Sequence, residues 1–140
     1  MRPPALPLLA AILLAACATA LPPHDPGKAW IEVRGDPAIQ LGADQLDGRS
    51  WADRRYFQVE PGEHRLQVRL GFEVPGGSGP DNHDGGGWRT CILEVRYAGF
   101  AAGARYRLSG RAIAHRAVAQ LQDERGQTLA RARVLRCGAL

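Results

Sequence analysis

Lysine is all but missing from this chain. Lys28 stands alone against 17 arginines, and with 14 acidic residues the formal net charge is only +4. On an Ala- and Gly-rich background that bias reads as composition rather than a built nucleic-acid surface, so no nucleic-acid partner is expected. No apolar run approaches the ~20 residues that a bilayer-spanning helix needs. There is no His-Glu-x-x-His, no Gly-rich phosphate loop leading into a Lys and no dinucleotide fingerprint, which removes the signatures of zinc peptidases, P-loop enzymes and nicotinamide enzymes. Serine is scarce too, with only Ser50, Ser78 and Ser109. Ser78 sits in Gly76-Gly77-Ser78-Gly79-Pro80, where the proline and the lack of a strand-to-helix elbow argue against a nucleophile. No internal repeat is present. A length of 140 residues, 45% of them hydrophobic and 23% charged, fits one ordinary globular domain.

The N-terminus carries the strongest positive signal. After Met1-Arg2-Pro3-Pro4 comes an apolar run from Leu6 to Ala16, half a membrane span in length, as in the core of a signal peptide. It ends in Leu14-Ala15-Ala16-Cys17, which resembles the bacterial lipobox: Leu at −3, small residues at −2 and −1, then the cysteine. Small side chains suit the signal peptidase, and the thiol accepts a diacylglyceryl group. The resemblance implies cleavage before Cys17 and acylation of its thiol and new amino group (palmitate or a similar chain), with residues 1–16 removed. The alternative is an ordinary secretory peptide with a coincidental cysteine. Each buried methylene contributes about 0.8 kcal/mol, so three acyl chains make a permanent membrane tether. Ala18, not Asp, follows the cysteine, which by the sorting rule of lipoproteins points to the outer membrane, facing the periplasm. Residues 17–28 include Pro22, Pro23 and Pro26 and read as a flexible, extended spacer, with His24 a solvated part of it.

With Cys17 lipidated, Cys91 and Cys137 remain as an even pair in an oxidising compartment. A disulfide between them would contribute about 4 kcal/mol through chain entropy. Two buried free thiols are the alternative; neither cysteine has a second Cys or His at metal-ligand spacing.

From Ala29 to Leu140 the pattern has period two. Leu66, Val68, Leu70, Phe72 and Val74 face one way, with Arg65, Gln67, Arg69 and Glu73 the other. Similar alternation marks strands at Ala29–Arg34, Arg55–Val59, Cys91–Tyr97, Arg105–Gly110, Ala119–Gln122 and Thr128–Cys137. Asp123-Glu124-Arg125-Gly126 reads as a hairpin turn with Gly126 in the left-handed region. An antiparallel β-sandwich of six to eight strands over residues 29–140 is therefore expected. Arg111 to Gln122 also places Ala114, Ala117, Val118 and Leu121 at helical spacing, so a short helix competes there. Ile39 to Asp53 is too weakly patterned to assign. In the last strand Ala130, Ala132 and Val134 share a face that Cys137 does not; a bulge at Val134-Leu135 would turn Cys137 toward Cys91. Pro75 to Gly87, with six Gly and two Pro, reads as a mobile loop inserted in one hairpin.

Val59-Glu60-Pro61-Gly62-Glu63-His64-Arg65-Leu66-Gln67-Val68 resembles the strand-turn-strand core of PEGA-type and carboxypeptidase-regulatory-like β-sandwich modules. The order lipobox, Pro-rich spacer and Tyr-Phe-x-Val-x-Pro-Gly-x-His hairpin is similar to that of small proteobacterial lipoproteins. The resemblance implies a β-sandwich with a binding or structural role and no catalysis.

Among the remaining candidates, His64 falls on the inward parity of its strand, where a buried histidine bonded to backbone near the turn competes with a ligand or base. His115 has no partner by spacing. Asp81-Asn82-His83-Asp84 has oxygen ligands spaced as in a calcium loop but lacks the distal bidentate Glu, so a solvated loop is the better reading and no metal or other cofactor is expected. The arginines alternate with apolar residues, as on an exposed sheet face, and such a face suits phosphates or acidic glycans. The expected function is that of a non-catalytic, lipid-anchored envelope protein binding an envelope protein or glycan. An envelope enzyme or metal-dependent factor using His64, His83 or His115, and a purely structural envelope component, are the alternatives.

Overall fold

The computed structural model describes residues 1, 19–76 and 86–138. The expectations attached to Cys17, Ser78 and the Asp81-Asn82-His83-Asp84 cluster concern residues outside these. The fold is all-β: β1 (Ala29–Gly35), β2 (Ile39–Leu46), β3 (Arg49–Ser50), β4 (Tyr56–Val59), β5 (Gly62–Val74), β6 (Gly87–Phe100), β7 (Arg105–Ile113), β8 (Arg116–Gln122), β9 (Thr128–Arg131) and β10 (Arg133–Gly138). They form two five-stranded sheets, ordered β4-β1-β7-β8-β9 in the first and β10-β6-β5-β2-β3 in the second. The inward residues of both meet in one core. Phe57, Phe72, Ile31, Leu66, Leu70, Leu93, Leu108 and Leu121 are its largest fully buried side chains, and they fall on the parity their strands alternate with.

The sandwich stands as expected, but with ten strands rather than six to eight. Residues 39–53 supply two of the additions. Asp47 and Gly48 both have positive φ (50° and 81°), so the Asp-Gly pair turns β2 back into β3. The third arises because residues 128–138 are not one strand. β9 pairs with β8 in the first sheet, and after Ala132 the chain crosses to pair as β10 with β6 in the second. One pairing is parallel, that of β1 with β7; every other one among the described strands is antiparallel. The helical alternative at 111–122 is excluded: β7 and β8 pair from Arg107–Gln122 to Ile113–Arg116, closed by Ala114 at φ 53°.

Two local expectations need correction, those for the Pro61-Gly62 turn and for the spacer with its His24. The Pro61-Gly62 turn does not close a hairpin. Gly62 takes a positive φ of 114°, but β4 pairs with β1 and β5 with β2 and β6, so the turn is a corner between sheets. The Pro75–Gly87 insertion does lie within a hairpin, since Val74 pairs with Gly87. The spacer is not free where it is described: from Thr19 to Lys28 it is strapped to the first sheet. Arg55 Nη1 donates to the Thr19 carbonyl (2.9 Å), the Asp25 N–H to Gln58 Oε1 (2.8 Å), and the His24 Nε2 to the Lys28 carbonyl (2.7 Å). His24 is consequently half-buried rather than solvated, 6.0 Å from the Trp30 ring. The physical cause is Trp30 itself. It is on the outward parity of β1, yet only 7% exposed, because Tyr56 stacks on it at 4.3 Å and the strap lies alongside.

Candidate anion-binding face

Cys91 and Cys137 are joined by a disulfide, with Cα atoms 4.0 Å apart. They sit directly opposite one another in the β6–β10 register, and the shift between Val134 and Arg136 is the bulge that brings Cys137 into line. Cys91 is fully buried and Cys137 is exposed on the sheet edge. The bond therefore pins β10, with its arginines, to the edge of the second sheet.

On that surface the register assembles residues from distant parts of the chain. Ile92 on β6 is flanked by Arg69 of β5 and Arg136 of β10; two residues on, Glu94 is flanked by Gln67 and Arg133. Ile92 is buried to 2% exposure although it points outward, a consequence of the aliphatic stems on either side. Glu94 is buried as well. Its Oε1 accepts Arg96 Nε at 2.9 Å and Arg133 Nη2 at 3.4 Å, and its Oε2 accepts Gln67 Nε2 at 3.3 Å. The Arg96 bond, outweighing burial and helped by Gln67 and the Arg133 charge, holds the Glu94 carboxyl below the usual carboxylate range. One carboxylate thus positions two guanidinium groups that keep most of their N–H donors outward, their side chains 57% and 70% exposed. Arg69 pairs with Asp44 at 3.5 Å.

An aromatic platform lies at the hairpin end of this face. Trp88 is 51% exposed, and its indole rests on Gly71: a Cβ there would lie 2.6 Å from Trp88 Cζ2. Gly42 is used in the same way by Arg54, whose Nε would meet a Cβ at 2.5 Å. Arginine forks beside a flat indole can bind acidic groups bidentately and pack against sugar rings.

The histidines do not converge. His64 is half-buried at the start of β5, its Nε2 donating to the Glu60 carbonyl (2.7 Å) and its Nδ1 2.6 Å from Asp47 Oδ2. Asp47 also accepts the Arg65 N–H at 2.8 Å. Burial pushes the Asp47 carboxyl up, but the Arg65 and His64 bonds more than offset it and leave it lowered. This bonding ties the β2–β3 turn to β5, and the backbone partner near the turn is the one the parity of His64 suggested. His115 lies in the β7–β8 turn, where its carbonyl accepts from Arg89, the partner of Phe72. Eight residues of β5, roughly 26 Å, separate His64 from that end. Among the described residues no group of three or more His, Cys, Asp or Glu could hold a metal ion, and no helix is long and apolar enough to cross a membrane.

Sequence reasoning placed Arg65, Arg69, Glu94 and Arg96 on the faces opposite the inward residues, but missed the burial of Glu94 between arginines and the roles of Trp88 and Gly71. A glycine at outward parity inside a strong strand was the available signal for a large neighbour lying across it. No protein family, curated protein or solved structure was found to match the chain.

Proposed function

We propose that this is a lipid-anchored protein of the bacterial cell envelope, held at the periplasmic side of the outer membrane by acylated Cys17, whose sandwich binds an anionic envelope glycan without catalysis. The observation that carries the binding role is the cluster of Arg69, Arg133 and Arg136 around Ile92 and Glu94, beside the exposed Trp88. The surface is basic and bears a preset guanidinium pair, so an acidic polymer is its complementary partner. The anchor is supported by Leu14-Ala15-Ala16-Cys17 at the end of the apolar run. A binding role also agrees with the resemblance of Val59–Val68 to PEGA-type modules.

The full chain, extracted in neutral detergent, is titrated with polygalacturonate and with neutral dextran. Saturable, salt-sensitive binding to the acidic polymer alone is expected, and the triple variant R69A/R133A/R136A should weaken it about tenfold or more. Equal binding to dextran, or an unaffected triple variant, would overturn the reading. For the anchor, Cys17→Ala should accumulate an unprocessed precursor; normal cleavage and release would show that Cys17 is not lipidated.

A further inference from the structure

The strap creates a second site on the opposite side of the sandwich. Between it and the β8–β9 turn, over the outer surface of the first sheet, lies a cleft of about 870 Å³. Leu21, Pro22 and Pro23 of the strap are its apolar lining; Trp30 and Arg105 sit side by side on the sheet floor in the β1–β7 register, and Arg125 is in the β8–β9 turn. The acids of the lining are largely engaged. Glu32 pairs with Arg34 and Arg107, and Asp123 Oδ1 accepts the turn N–H groups of Arg125 and Gln127; Glu124 lies at the tip of the turn. Arg105 and Arg125 form no ion pair among the described residues. The cleft is therefore amphiphilic, lined both by apolar strap residues and by two guanidinium groups that form no ion pair among the described residues.

Its place in the chain says what would reach it. Cys17 is four residues upstream of Leu21, a span of at most about 14 Å. On the reading that Cys17 is acylated, the cleft begins within about 14 Å of the lipid anchor, while the Arg69–Arg136 face is on the other sheet's outer side. We infer that the cleft binds the phosphate of a membrane phospholipid, Arg105 and Arg125 holding the phosphate and Leu21, Pro22 and Pro23 contacting the glycerol backbone. The domain is then oriented on its own membrane by its strap, with its glycan face presented outward.

The test is a titration of the detergent-extracted full chain with dihexanoyl phosphatidylglycerol, followed by backbone amide NMR. Saturable shifts at 21–24, 105–107 and 122–126 are expected, and R105A/R125A should weaken binding about tenfold while leaving the thermal melt unchanged, since both side chains are solvent-facing. Dioctanoylglycerol, which lacks phosphate, should not bind. Equal affinity for glycerol 3-phosphate would overturn a lipid source, and shifts confined to the Arg69–Arg136 face, or an unaffected double variant, would overturn the site. Mass spectrometry of the same preparation reads the acyl groups on Cys17 separately, so failure of the anchor and failure of the cleft are distinguishable.

Discussion

The two outer faces of the sandwich are built from similar residues and end in different states. Both alternate arginine with polar residues, yet the first sheet is overlaid by the Thr19–Lys28 strap and buries Trp30, whereas among the described residues no such strap crosses the second, and Trp88 is half exposed. What differs is the neighbour of each indole. Trp30 is sandwiched between Tyr56 and the strap, while Trp88 lies on Gly71 and stays 51% exposed. Strand composition alone does not decide what a face presents; on the second sheet a buried carboxylate, Glu94, positions the arginines.

The largest expected effect comes from uncovering the first face. Trp30→Ala should cost about 4 kcal/mol, as for other buried aromatic truncations, and hydrogen exchange should show the strap released while the β5–β6 amides stay protected. Should the strap stay protected, Trp30 does not hold it. Removing the disulfide in a Cys91→Ala, Cys137→Ala double variant acts on the other face, lowering denaturant stability by about 3 kcal/mol and loosening β10 with Arg133 and Arg136, with the strap unaffected. Glycan binding should fall with it.

Acid should also distinguish the faces. The Glu94 carboxyl is lowered chiefly by the Arg96 bond from an ordinary value of 4.5, so its stabilisation is fully present above that pH and is lost as pH falls through the lower folded value. Glu94→Gln should flatten the acid limb of the stability curve and weaken polygalacturonate binding at neutral pH. An unchanged acid limb would mean that the carboxylate positions nothing. Smallest of all, Gly71→Ala should cost about 1 kcal/mol by lifting the Trp88 indole, read as a changed tryptophan emission and reduced glycan affinity against an unaltered strap.

Period-two alternation from Ala29 onward was enough for the all-β class, for the inward residues Leu66, Val68, Leu70 and Phe72, and for the Gly126 turn, because side-chain direction in a strand follows from local backbone geometry. The Cys91–Cys137 bond was legible from the cysteine count, and the bulge that permits it from parity, a local property whose violation is local too. What the sequence did not disclose was pairing. That Val59-Glu60-Pro61-Gly62 turns between sheets rather than within one, that β1 runs parallel to β7, and that residues 128–138 divide between the two sheets all depend on which edges remain free once the core closes. The site depends on pairing too. Arg69 and Glu94 come from the two strands of one hairpin and Arg136 from the distant β10, and they meet only through the β5–β6–β10 register, and the strap binds because Trp30 and Tyr56 offer it an apolar ledge. Local geometry decides where a side chain points; only the folded sheets decide what stands beside it.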